Sequence, residues 1–285
     1  GRTRGRSGSG AHSVLTKALE KLPENVPARV LRARFMADVE EFAGARREID
    51  RALRAGPSDA TALWTGMARA VARADSSAQA TYQRRYRELY PKEAGAYVAV
   101  AEQLSRVRQY EAAANWAREG TKIDSTNWQA HSTLGLNLLR LGQIEEGRTS
   151  LEKAFAGDPY NLWVKNTLDL LDTFGDYNVV THGQFRFMIE KSESDIISLY
   201  LGELADRAFE TFSKRYGFTP SKPVRFEVYR SHADFSVRTV GLAGLGALGV
   251  SFANSVAFDS PAAKDAGMFN WASTAWHELA HTFTL

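Results

Sequence analysis

The amino-acid sequence predicts an α-helical solenoid over residues 11–177, followed by an α+β domain over residues 178–285. Two observations predict the first part. Prolines recur on a 34-residue ladder, and small or apolar residues recur at fixed offsets from each rung. A third predicts the second part: after Gly175 the apolar pattern changes to a mixture of alternating and helical stretches.

The ladder runs through Pro23, Pro57, Pro91 and Pro159, with Ser125 in the remaining slot. Five positions before each rung stand Ala18, Ala52, Tyr86, Gly120 and Ala154. Twelve before it stand Ala11, Ala45, Gln79, Ala113 and Gly147. The first helix of each unit keeps the same order, in the series Ala33, Met67, Ala101, Gly135 and the series Met36, Ala70, Leu104, Leu138. Small residues let two helices approach closely, and a proline ends the second helix because it has no N–H to donate. Residues 128–161 carry the pattern most fully, with Leu134-Gly135, Gly142, Ala154 and Asp158-Pro159. On these residues the array resembles the tetratricopeptide repeat. Four full repeats are expected at 26–59, 60–93, 94–127 and 128–161, the second degenerate at Gln79 and Gln83.

Partial units flank these repeats. Residues 11–25 are in register with Pro23 as the second helix of an earlier repeat, so the chain is expected to begin inside a longer array. Residues 162–174 read as a terminal helix covering the last repeat. Packing accounts for most residues here: His131 lies on an apolar helix face, and Arg46-Arg47 and Arg84-Arg85 read as solvated helix faces. The resemblance implies a concave surface lined here by Trp64, Ala68, Val71, Val98, Leu136 and Leu139, continued by Trp163 and Leu170. That floor is expected to be mostly apolar, covered by a protein partner or by the second domain.

Composition narrows the function classes. The net charge of +3 comes from the start of the chain, where Arg2, Arg4 and Arg6 lie in a Gly/Ser-rich stretch without acids. Residues 1–10 are expected to be a flexible basic segment, and the remainder is neutral, which argues against nucleic-acid binding. There is no cysteine, which excludes disulfides and thiolate metal sites and leaves the compartment unassigned. Thr239–Phe258 is uncharged, but Gly241, Gly244, Gly246 and Gly249 interrupt it and Ser251, Asn254 and Ser255 make it polar, so no membrane span is expected.

In the second part, Gln184–Lys191 alternates as a strand and Val224–Tyr229 reads as another. Ser194–Tyr216 carries one apolar helical stripe ended by Gly217. Residues 249–258 read as one or two strands with a turn at Asn254-Ser255, and a last helix starts near Ser273, its expected N-cap. Residues 244–249 fit the G-x-G-x-x-G pattern. They are followed rather than preceded by a strand, so a loop permitting close backbone approach is expected instead of a dinucleotide site.

His277-Glu278-Leu279-Ala280-His281 is the sharper motif. Residues four apart share a helix face, so two imidazoles can reach one metal ion, and a glutamate beside the first is placed to take a proton from water. Uncharged neighbours, among them Thr274, Ala275, Leu279 and Ala280, suit a helix through the middle of a domain. The bland alternative is a core helix with two satisfied histidines and a surface glutamate.

Residues 234–252 and 269–285, with this motif, resemble a gluzincin-type metallopeptidase domain (clan MA) that follows tetratricopeptide repeats in bacterial proteins. The resemblance implies zinc held by His277 and His281, Glu278 as general base, and an edge strand that pairs with an extended substrate through Gly249, Val250, Ser251 and Phe252. It also implies a third ligand, a glutamate downstream of Leu285, so the fold expected is an α-solenoid followed by an incomplete α+β zincin-like domain. His232, Asp234 and Asp259 are the upstream ligand candidates if the site departs from the family. Two functions follow as expectations: a zinc metallopeptidase whose repeats recruit a peptide or protein, or a protein–protein interaction scaffold with an inactive peptidase-like domain.

Overall fold

The 34-residue period governs where helices begin and end in the computed structural model, which describes residues 4–252, 254–265 and 267–284. Before the first strand run α1 (Arg4–Lys21), α2 (Val26–Asp38), α3 (Phe42–Ala55), α4 (Ala60–Ala72), α5 (Ser76–Leu89), α6 (Gly95–Arg106), α7 (Tyr110–Ile123), α8 (Trp128–Arg140), α9 (Ile144–Gly157) and α10 (Leu162–Asp172). The odd-numbered helices α1 to α9 end at residues 21, 55, 89, 123 and 157, each two residues before a rung of the ladder. The chain divides into two compact units, 1–133 and 134–285, a division that falls within α8.

Two further series keep the same period. Between the helices of each repeat one residue is left-handed: Glu40 (φ 64°), Ala74 (φ 55°), Arg108 (φ 62°) and Gly142 (φ 75°). Only the last is the residue type that adopts this conformation without steric cost. Ahead of each first helix, the side chains of Asn25, Asp59, Asn127 and Asn161 accept hydrogen bonds from the third following N–H, at 2.9, 2.7, 2.9 and 3.2 Å. Such caps satisfy one of the donors that a helix start leaves free. The remaining slot holds Glu93. There α6 starts one residue late, on Ala94, with no side-chain cap.

Within the first unit the small-residue series is buried as expected, with Ala33, Ala45, Ala52, Ala101 and Ala113 at 1% exposure or less. Leu63, Met67, Tyr86, Tyr97, Val100 and Leu104 form the core of α4 to α7. The degenerate repeat is filled from α5 by Tyr82, whose ring lies so close to Gly66 that a Cβ there would stand 2.7 Å from it. Buried Glu48 is met by Arg29 at 2.9 Å and Arg32 at 2.6 Å, with Arg51 at 3.3 Å. His131 is buried with Nε2 at 3.0 Å from the Ser125 carbonyl, a packing residue. Arg46, Arg47 and Arg84 are exposed, while half-buried Arg85 donates to the Pro57 carbonyl.

The start of the chain corrects one expectation. Residues 4–10, expected to be flexible, are the first turns of α1, and residues 1–3 lie outside the described residues. A helix nucleated over residues 11–21 gains one hydrogen bond for each residue added upstream, which carries it into a stretch of poor propensity.

In the second unit, α8 and α9 approach closely at two glycines, where added Cβ atoms would meet Leu151 (Gly135) and Leu139 (Gly147) at 2.7 Å. The sheet comprises β1 (Tyr177–His182), β2 (Phe185–Glu190), β3 (Val224–Tyr229), β4 (Gly249–Phe252) and β5 (Ser255–Asp259), in the order β1-β2-β3-β5-β4. β2, β3 and β5 are parallel, and the edge strands β1 and β4 are antiparallel to their neighbours. One face buries Phe185, Phe187, Phe226, Val228, Val256 and Phe258 against α11 (Ser194–Tyr216) and α13 (Trp271–Thr284). Gly217 ends α11 at φ 62°.

The opposite face is polar and meets α12 (His232–Val240). Glu227 is fully buried there, and Arg238 donates to it from Nε at 2.7 Å and Nη2 at 3.2 Å. Arg225 and the Tyr229 hydroxyl each donate at 3.0 Å. Burial pushes the Glu227 carboxyl up, but Arg238 and Arg225 outweigh it and hold it below the usual carboxylate range. Arg238 Nη2 also donates to the Leu139 carbonyl of α8 at 2.9 Å, and Asn166 of α10 donates to the Gly241 carbonyl at 2.9 Å. The expectation that the apolar residues near the end of the array meet the second domain is met in this unit: Leu139 and Leu170 are buried, and the Trp163 ring lies where a Gly241 Cβ would be, 2.2 Å away.

Two elements were not expected from the sequence. β1 is short and exposed on one side, and α12 is too short for an apolar stripe to stand out. The latter did carry signals, since Ser231 caps it by accepting from Asp234 N–H and Gly241 (φ 73°) ends it. The last helix is capped by Asn270, which accepts from Ser273 N–H at 3.1 Å, so Ser273 is not the cap: the helix begins at Trp271. No helix among the described residues is long and apolar enough to cross a membrane.

The cap series generates a prediction. Glu93→Asp should raise stability by about 0.5–1 kcal/mol by supplying the missing cap, and Asp59→Ala should lower it by about 1 kcal/mol. Urea denaturation followed by tryptophan fluorescence checks both; no rise for Glu93→Asp would mean that α6 starts at Gly95 for reasons other than the cap.

Candidate functional site

The first unit carries a groove of about 1510 Å³ along α2, α4 and α6, closed at one end by the α2–α3 turn. Trp64 and Ala68 line it, as expected from the repeat. Val98 does not: it is buried against Ala94 and Ala130. Val71 packs on the α4–α7 core. The floor is also less apolar than expected, because Arg34, Arg69, Arg73, Arg106 and Glu102 line it, with Asp38, Glu40 and Glu41 at the turn. The signal was present: the series through Ala68 and Leu136 also passes through Arg34 and Glu102. The Arg34 guanidinium lies 5.0 Å over the Trp64 ring and that of Arg73 lies 4.5 Å over Phe42. Buried N–H groups on Trp64 (Nε1) and Arg69 (Nε) have no hydrogen-bond partner.

The second candidate is α13. Ala275, Leu279 and Phe283 anchor its inner face in the core. Glu278 is buried on the same helix, 8% exposed, so the surface glutamate of the bland reading is not what the structure has. His277 is exposed and His281 half-buried, with ring centroids 4.9 Å apart and planes nearly perpendicular. Among the described residues no group of three His, Cys, Asp or Glu side chains is placed to hold a metal ion. The pair therefore fits zinc as two ligands of a tetrahedral set.

The edge strand β4 lies against this helix. A Cβ on Gly249 would stand 2.7 Å from Glu278 Cγ and from Thr274 Cγ2, so the missing side chain is what lets the glutamate sit there. Gly249 and Ser251 share the α13 side of the strand by the two-residue period. Ser251 is 2% exposed and its Oγ has no hydrogen-bond partner. Phe252, also buried, lies under the Arg238 guanidinium at 5.1 Å on the other side, and Val250 is half-buried. Of these four residues, what β4 offers outward is mainly backbone along its edge.

The upstream ligand candidates are otherwise engaged. His232 Nδ1 is 2.7 Å from Asp259 Oδ2, and its Nε2 is 2.7 Å from the Leu245 carbonyl. Burial raises the Asp259 carboxyl, with His232 opposing. Asp234, its carboxyl also raised by burial, sits in the first turn of α12. The glycine pattern at 244–249 follows α12 and precedes β4, with Gly244 left-handed at φ 98°. The strand-before-glycines geometry of a dinucleotide site is therefore absent from this segment.

Residues 8–70 match the family model described as tetratricopeptide repeat. The helical array is built of tetratricopeptide repeats. No curated protein matches the chain. Similar solved structures include YrrB, a TPR protein with an unusual peptide-binding site, at 17% identity over 56% of this chain and 83% of that one (TM-score 0.33). MamA aligns at 18% identity over 55% of this chain and 92% of that one (TM-score 0.34). A human IFIT1 dimer with PPP-AAAA aligns at 13% identity over 84% and 56% (TM-score 0.36).

The contact at Gly249 predicts that Gly249→Ala destabilises the second unit by about 1–3 kcal/mol through overpacking. Glu278→Ala removes the Cγ that the new methyl would meet, so it should recover part of the loss in a double-mutant cycle. Additive effects in urea denaturation would show that β4 is not held against Glu278.

Proposed function

We propose that this chain is a protein-interaction scaffold whose repeats hold a peptide or protein segment in the groove of the first unit. The observation that carries this reading is the groove itself, open along three successive first helices and bordered by Trp64, Phe35 and Phe42 together with stacked guanidinium groups. Aromatic and arginine side chains are those that dominate binding energy at protein interfaces. Peptides selected from a random library on the chain should lose about tenfold or more in affinity when Ala72→Leu and Ala99→Leu fill the groove. Selected peptides indifferent to both substitutions would end this reading.

A second reading adds peptide-bond hydrolysis at α13, favoured by buried Glu278 against an edge strand, with two imidazoles on one helix face. His277 and His281 would hold zinc. Zinc supplies Lewis acidity that makes water a nucleophile near neutral pH. Glu278 would take the proton from the attacking water and return it to the leaving amine, and the edge of β4 would align an extended substrate. Glu278→Gln should keep zinc binding and lose about 10²–10⁴ in hydrolysis rate, whereas His281→Ala should weaken zinc binding itself. Zinc titration by calorimetry and cleavage of a peptide library read the two separately. If zinc binds equally to His281→Ala, or if no peptide is cleaved with zinc bound, the scaffold reading stands alone.

A further inference from the structure

We propose that the groove of the first unit takes an extended acidic segment of a partner protein, its carboxylates received by Arg69, Arg73 and Arg106. The proposal rests on the groove reading above and adds the chemistry of the occupant.

Three observations converge on an acceptor-rich ligand. First, Arg34, Arg69, Arg73 and Arg106 border the groove, and none makes an ion pair among the described residues. The same unit supplies Glu48 where guanidinium groups are buried, meeting Arg29 and Arg32, so unpaired arginines are not the general condition of this fold. Secondly, stacking on Trp64 and Phe42 holds Arg34 and Arg73 by their faces. Their N–H edges are left for acceptors, the arrangement that suits bidentate carboxylate binding. Thirdly, the buried Trp64 Nε1–H and Arg69 Nε–H have no acceptor within the protein. Buried donors are almost always satisfied, and a groove wall with two that are not is matched by a ligand carrying carbonyl and carboxylate oxygens.

The distribution of charge selects a peptide over a nucleic acid. Asp38, Glu40 and Glu41 gather at the α2–α3 turn, while Arg69, Arg73 and Arg106 stand on α4, just past its end, and at the end of α6. A phosphate chain carries charge at every unit and would be repelled at the turn. A peptide can place acids over α4 and α6 and neutral or basic residues at the turn.

The test is fluorescence anisotropy with a labelled decapeptide of alternating glutamate and serine, its glutamine-for-glutamate counterpart, and a decamer of oligouridylate. The acidic peptide should bind about tenfold tighter than the glutamine peptide, with a preference that shrinks as salt rises. The preference should vanish in Arg73→Gln/Arg106→Gln, two exposed positions whose change leaves the helices intact by circular dichroism. Arg69→Gln provides a second variant. Equal binding of the two peptides, no binding of the acidic one, or binding of oligouridylate as tight as the acidic peptide would each overturn the proposal. Library peptides that lack acids yet are blocked by Ala72→Leu and Ala99→Leu would leave the groove reading standing while removing this one. Library peptides indifferent to those two substitutions would remove both.

Discussion

In the second unit everything turns on one buried ion pair. Arg238 holds Glu227 through two hydrogen bonds, donates to the Leu139 carbonyl, and lies over the Phe252 ring. One guanidinium therefore joins the middle of the sheet, the end of α8 and the edge strand beside α13. Its planar fork and permanent charge make this possible where a lysine would offer only a point charge. Removing one partner of such a pair strands a charge in the interior, at a typical cost of about 3–5 kcal/mol. The contact division at residue 134 follows from the same chemistry: the last repeat and α10 bond to α12 and pack at Gly241, so they belong with the sheet.

The two candidate sites obey different logic. The groove is built by repetition: each first helix presents the same positions, so its chemistry can be varied one repeat at a time without disturbing the small residues that hold the helices together. Arg34, Ala68 and Glu102 occupy equivalent positions with three different characters. The α13 site is built by convergence. Glu278 is buried only because Gly249, on a strand more than two dozen residues earlier, has no side chain. A site of the first kind tolerates substitution and diversifies; a site of the second kind is lost with one methyl group.

Several of the sequence expectations depended on local information and matched for that reason. The helix at Ser194–Tyr216 and the strand at Val224–Tyr229 have the expected limits, because a stripe and an alternation are written in consecutive residues and Gly217 and Pro223 mark boundaries. The N-cap of α13 was misplaced by three residues since Asn270 and Ser273 are both good caps, and only the path of the chain decides between them. The charged character of the groove was legible too, but required reading the whole 34-residue series instead of its apolar members.

What the sequence by itself determined was the repeat: the period, the helix limits and the small residues at helix crossings all repeat locally, and repetition multiplies a weak signal. It also determined that two histidines and a glutamate share one helix. Only the tertiary structure decided that Glu278 is buried and His277 exposed, that β4 is the strand against them, and that Glu227 and Arg238 meet on the other face of the sheet. These relations join residues far apart in the chain. No periodicity encodes them, because they depend on which surfaces remain to be covered once each element has folded.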